Sequence, residues 1–180
     1  MRIHIGIDPG KLGACAIMGD GMSMPAVTPM PLAGKVIDWS AMGEWVNERI
    51  TDAQTNTLRK RDLSMSELTD VSLWCTATIE KAHAMPGQGV TSMFSFGETY
   101  GGWFGLMGAL GIPLRIVTPQ AWKRAILAGT SKDKAAAIAY VRRAYPGVNL
   151  LATERSRTAH DGMADAVCIA EYGMRMERGR

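Results

Sequence analysis

Four carboxylates in this 180-residue chain are spaced so that chemistry could be done between them. Asp8 follows the alternating run Ile3-His4-Ile5-Gly6-Ile7, where Pro9-Gly10 must turn the chain, and Glu80 ends a second β-like run, Val71 to Ile79. Asp161 and Asp165 stand in His160-Asp161-Gly162-Met163-Ala164-Asp165-Ala166, a four-residue spacing that puts both on one face of a helix. Each acid alone has an ordinary explanation. A strand-end aspartate satisfies turn amides, and an acid in a first helical turn is stabilised by the macrodipole. Asp165 fits neither, because it lies a full turn into its helix and between two alanines. Like charges at this spacing cost about 0.2–0.5 kcal/mol, so the pair asks for a cation. Four acids brought from two strand ends and one helix would suit two Mg²⁺ ions, or Mn²⁺ in their place, since hard cations take oxygen ligands and Mg²⁺ keeps several waters. Two ions about 3.5–4 Å apart can activate water on one side of a phosphodiester and stabilise the leaving oxygen on the other.

The elements that must position these acids can be read from periodicity and punctuation. Ile3 to Ile7 and Ala14 to Met18 form a hairpin with Asp8 at its tip, and Met22 to Val27, leading into Pro29-Met30-Pro31, reads as a short edge strand. Asp38 or Ser40 can cap a helix from Trp39 to Ile50, and residues 51–70 form a polar, partly helical surface excursion. The strand ending at Glu80 leads into the loop Lys81 to Gly89 and then a helix from Ser92 to Leu110, which carries Gly97, Gly101, Gly102, Gly105 and Gly108. Each glycine costs about 0.5–1 kcal/mol relative to alanine, so close packing on a sheet or a partner is expected to compensate. Leu114 to Val117 is a strand, and Pro119 after Thr118 opens a helix containing Trp122-Lys123-Arg124. Helices over Ala135 to Ala144 and His160 to Met176 complete an order β-β-β-α-β-α-β-α-α-α, one α/β domain with a mixed sheet flanked by helices.

Charge is unevenly spread. Nine Lys/Arg face only Asp133 and Glu154 between Gly111 and His160, a local +7 within a chain of net charge +3, which leaves about −4 elsewhere. A basic half joined to an acidic remainder suggests a polyanionic partner. Three dispersed cysteines without a C-x-x-C pair fit a reducing cytoplasm rather than a disulfide scaffold or zinc knuckle. No window approaches the length of a membrane span.

Four segments, Ile5-Gly6-Ile7-Asp8-Pro9-Gly10, Ile79-Glu80, Thr118-Pro119-Gln120-Ala121-Trp122-Lys123 and His160 to Ala166, occur in the order and spacing of RuvC-type Holliday-junction resolvases. The chain resembles the phage-encoded branch most, over nearly its whole length apart from 51–70. The resemblance implies an RNase H-like fold with a five-stranded sheet, a homodimer, and metal-dependent nicking of four-way DNA junctions. It maps Asp8, Glu80 and Asp165 onto the core carboxylates. Many members place a fourth acid three residues before the last, which here is Gly162; this chain offers Asp161, with His160 as an auxiliary ligand or water-positioning group. The loop after the second acid, which in the family wedges into the junction, carries His83 and Met85, while Phe94 and Phe96 read as core residues. Lys123, Arg124, Lys132 and Lys134 are the candidate phosphate contacts, and the glycine-rich helix is the candidate dimer face. Two other readings stand beside this one. A binding protein for branched DNA could keep the fold without catalysis, and an actin/hexokinase-like phosphotransferase could share the Asp8-Pro9-Gly10 turn, although 180 residues leave no room for a duplicated domain.

Overall fold

The structure, a computed structural model, describes residues 2–20, 22–61, 75–81, 87, 89–129 and 135–178. Seven strands and five helices follow one another among them: β1 (Ile3–Asp8), β2 (Ala14–Gly19), β3 (Ala26–Pro29), β4 (Leu32–Ala33), β5 (Val36–Ile37), α1 (Trp39–Arg61), β6 (Cys75–Glu80), α2 (Val90–Ala109), β7 (Leu114–Val117), α3 (Pro119–Ile126), α4 (Ala136–Ala144) and α5 (Asp161–Arg178). Five strands build one mixed sheet in the order β3-β2-β1-β6-β7, with β1 antiparallel to β2 and parallel to β6. This mixed sheet flanked by helices is an RNase H-like α/β fold.

Alternation along the central strands divides the core. Ile3, Ile5 and Ile7 of β1, with Cys75, Ala77 and Ile79 of β6, pack under α1 and α2 around Trp103 and Met107. Each such isoleucine contributes about 1.5–3 kcal/mol over an exposed one. Ala14, Ala16 and Met18 of β2 face the other way, into a core built with α3, α4 and α5 around Trp122, Val141 and Ile169. Asp38 caps α1 by accepting from the Ala41 amide at 2.9 Å.

Several elements differ from the sequence expectation. β3 starts at Ala26 rather than Met22, although it is the sheet edge that its prolines require. The polar run after Ile50, expected to be partly helical, continues α1 itself to Arg61, because nothing in it breaks a helix, and 62–70 lie outside the described residues. The two-residue strands β4 and β5 form a small hairpin turned at Gly34, whose φ of 64° suits glycine. Such short strands carry no readable period. On α2, Phe94 is 67% exposed rather than core. Among the described residues, only Gly102 of its five expected close-packing glycines meets a neighbour, the Trp39 ring; a Cβ on Gly97, Gly101, Gly105 or Gly108 would have nothing described within 4 Å. No described helix is long and apolar enough to cross a membrane, and Cys15, Cys75 and Cys168 are free and buried.

Candidate active site

Parallel pairing of β1 with β6 sets Ile7 opposite Ile79, so Asp8 and Glu80 leave the sheet as neighbours at the same end. With the isoleucines committed to the α1/α2 core, period two turns His4, Gly6 and Asp8, and Thr76, Thr78 and Glu80, toward α5. That helix packs unusually close. A Cβ on Gly6 would stand 2.1 Å from the Ala166 carbonyl oxygen and 2.2 Å from the Ala170 nitrogen, and a Cβ on Gly173 would stand 2.7 Å from Thr78 Oγ1. Small residues on both sides thus seat α5 against β1. At its first turn, a Cβ on Gly162 would stand 2.7 Å from Asp8 Oδ2.

The carboxylates of this corner feel one another. Burial, reinforced by the charges of Asp165 and Glu80, pushes the Asp8 carboxyl up to about 7, against the pull of the Gly10 amide and Lys123. Burial likewise raises Asp165 to about 6; Lys123 opposes the shift, and Glu80 and Asp161 add to it. Lys123 is exposed on α3, with Nζ 5.1 Å from the centroid of the Trp122 ring, and Arg124 beside it is also exposed. Glu80 is held by the Trp122 indole, whose Nε1 donates to Oε2 at 2.6 Å.

Glu171, also on α5, shows what a structural carboxylate looks like here. It is buried, accepts from the Tyr140 hydroxyl at 2.8 Å, and pairs with Arg175 at 2.5 Å. Among the described residues Asp8 and Asp165 have no comparable partner: the Gly10 amide and Lys123 offset only part of what burial and like charges raise.

His160 lies at the entrance to α5. Its amide donates to the Leu150 carbonyl at 2.8 Å, and its Nδ1 accepts from the Met163 amide at 3.2 Å, capping the helix. An accepting Nδ1 leaves the ring proton on Nε2, which can then donate a hydrogen bond but has no lone pair for a metal. Asp161, the first residue of α5, is exposed, and its charge registers on Asp165. Successive helical residues are rotated by about 100°. Asp161 therefore lies to the side of the direction in which Gly162 faces Asp8, on the face it shares with Asp165.

Among the described residues no three His, Cys, Asp or Glu side chains stand close enough together to hold a metal ion as they are placed. The donor chemistry nonetheless fits a hard divalent cation. Asp8, Glu80 and Asp165 are oxygen donors within one another's fields, and proton uptake near neutral pH is what under-compensated carboxylates do without a cation. His83, Lys132 and Lys134 lie outside the described residues.

Three residues that matter to this geometry carry no chemical signal in the sequence. Trp122 reads as part of a helix and of the Thr118 to Lys123 segment without a role of its own, and its contact with Glu80 depends on the pairing of β6 with β7. Gly6 and Gly162 stand in segments that carry the resemblance, Gly162 at the place of the fourth acid, but their packing role emerges only when α5 lies across β1.

No family model matches the chain, and no curated protein matches it. Among solved structures it is similar to T. thermophilus RuvC in complex with a Holliday junction substrate, with a TM-score of 0.52 and 14% identity over 98% of this chain and 96% of that one. A second structure, Thermus thermophilus RuvC, aligns with a TM-score of 0.48 and 17% identity over 98% and 97%. At this identity the first likeness shows a shared fold.

Proposed function

We propose that this chain is a divalent-metal-dependent endonuclease that cuts branched DNA, four-way junctions first among them. The observation that carries the reading is the raised Asp8 carboxyl, part-buried at the end of the central strand and within the fields of Glu80 and Asp165. Perturbed acids gathered at one corner of a fold are a mark of function, and the three acids of this corner are oxygen donors. Asp8, Glu80 and Asp165 would hold Mg²⁺ or Mn²⁺, two ions per site, with Asp161 completing the set. When bound, the metal supplies the Lewis acidity needed for water to attack a phosphodiester.

The other roles belong to the chain's own groups. Asp8 is set between β6 and α5, within the fields of Glu80 and Asp165. Lys123 lowers the carboxyls of Asp8 and Asp165 by its charge, and its exposed ammonium is free to meet a DNA phosphate. His160, while it caps α5, can donate from Nε2 to a water but cannot ligate through it. Arg124, Lys132 and Lys134 would extend the phosphate track, and His83 would reach the branch point. The similar RuvC structure is a complex with a Holliday junction substrate, which makes a four-way junction the first substrate to try.

A homodimer fits the open side of α2. In this helix Glu98 is the sole charged residue, and Phe94, Gly97, Gly101 and Phe104 follow one another along one exposed apolar line.

A second reading, a branched-DNA-binding protein without catalysis, draws on the carboxylates not converging on a metal as they are placed among the described residues. End-labelled four-way junctions, forks and flaps incubated with Mg²⁺ or Mn²⁺ separate the two. Paired nicks near the branch support the nuclease, and tight binding with no nicks under either metal supports the binding protein.

A further inference from the structure

We infer that Trp122 is a positioning residue for Glu80: its indole N–H fixes one carboxylate oxygen and so presents the other to the metal. The inference rests on the nuclease reading and adds a residue to it. Three connections hold the arrangement. Glu80 pairs with Val117 across β6 and β7, and the Lys81 amide donates to the Val117 carbonyl at 2.6 Å, so the backbone on both sides of the acid is tied to β7. The chain leaves β7 through Thr118, whose hydroxyl accepts from the Ala121 amide at 3.3 Å, and Pro119 then starts α3. Trp122 comes one turn later, fully buried, with Nε1 2.6 Å from Glu80 Oε2. The strand that aligns the acid thus also leads directly into the helix that holds its side chain.

Packing alone does not require this bond. Trp103 is equally buried, and its Nε1 has no partner among the described residues. A buried indole in this fold can therefore go unpaired, whereas the one at Trp122 is spent on an acid of the candidate site. The donor also has the right character. An indole N–H donates, accepts nothing and does not titrate, so it orients the carboxylate while leaving its charge for a cation. A lysine in its place would neutralise the ligand. With Oε2 engaged, Oε1 is the oxygen left to turn toward Asp8 and Asp165. Outer groups that orient a metal ligand in this way typically change metal affinity by about 10–100-fold when removed.

The test uses the whole chain. In the parent protein, the Trp122 indole ¹⁵N–¹H resonance is followed through a Mg²⁺ titration together with the Asp8 and Asp165 backbone amides. The indole resonance should move with the same midpoint as those amides. In Trp122→Phe, which keeps an aromatic ring and loses the donor, calorimetric Mg²⁺ affinity and the Mg²⁺ concentration for half-maximal cleavage should each weaken by about 10–100-fold. Cleavage at saturating metal should be largely retained. A merely structural tryptophan would lower thermal stability and leave metal affinity at the parent value. Moving Asp8 and Asp165 amides with an unresponsive indole, or parent-like Mg²⁺ affinity in Trp122→Phe, overturns the role of Trp122 and leaves the nuclease reading standing. No Mg²⁺ response at any of these groups overturns both. The parent titration decides the matter even if the variant does not fold.

Discussion

Gly162 and Asp8 touch across the interface of α5 and β1: a Cβ on the glycine would lie 2.7 Å from Asp8 Oδ2 and 2.9 Å from the Leu12 carbonyl oxygen. The position at which a fourth acid is expected by resemblance is thus filled by the one residue small enough for the Asp8 carboxylate to rest on the helix. We expect Gly162→Ala to displace Asp8 and to cost about 1–3 kcal/mol, as overpacked sites do. Cleavage should fall further than stability alone would explain. Gly6→Ala, whose Cβ would meet α5 backbone at 2.1 Å, should be worse and could prevent folding. Urea unfolding of both variants measures the difference.

The raised carboxyls set a pH dependence for the metal-free protein. In the unfolded chain Asp8 ionises near about 3.9, and in the folded chain it keeps its proton to about 7. Between those values the folded state binds more protons, so stability falls as pH rises, and Asp165 acts in the same direction up to about 6. Thermal unfolding in chelator should therefore give a lower Tm at pH 8 than at pH 5. Asp8→Asn should raise the Tm at pH 8, by roughly 2–4 °C for each kcal/mol of burial and repulsion relieved. Mg²⁺ added to the parent should narrow the pH difference.

Lys123 opposes the upward shift of both Asp8 and Asp165. In Lys123→Met both acids should hold their protons to higher pH, and the acid limb of the pH–rate profile should move upward. Junction binding should also lose part of its salt dependence, because one phosphate contact is gone. Rates from pH 5.5 to 9 at saturating Mg²⁺, with binding measured over a salt series, check both effects.

The open side of α2 predicts its own variant. Phe94 is 67% exposed and Phe104 40%, on the same helix as four glycines on which a Cβ would meet nothing within 4 Å among the described residues. Phe94→Glu combined with Phe104→Glu should turn a dimer into a monomer in sedimentation, with little change in Tm because neither ring is core. An unchanged sedimentation coefficient would place the dimer contact elsewhere.

Much of this arrangement is legible in the sequence because it follows from short-range rules. The alternation of Ile3, Ile5 and Ile7 marks β1, Pro119 after Thr118 marks the start of α3, and Asp8, Glu80 and Asp161 stand at element ends where turns and caps are visible. The strands β4 and β5 were beyond reach, since two residues define no period. The continuation of α1 to Arg61 was masked by polarity, which says that a surface is solvated but not that it is irregular. Phe94 has the spacing of a core residue, yet only the docking of α2 decides which side faces the sheet. At the candidate site, the seating of α5 by Gly6 and Gly162 and the bond from Trp122 to Glu80 link residues far apart in the chain, so they appear only in three dimensions.

Asp8→Asn tests the central claim most directly. The amide keeps the size of the side chain and removes the charge that a divalent cation needs. With end-labelled four-way junction and Mg²⁺, we expect the variant to bind the junction as the parent does and to lose cleavage by several orders of magnitude. Nicking by Asp8→Asn at the parent rate would contradict a metal site centred on this residue.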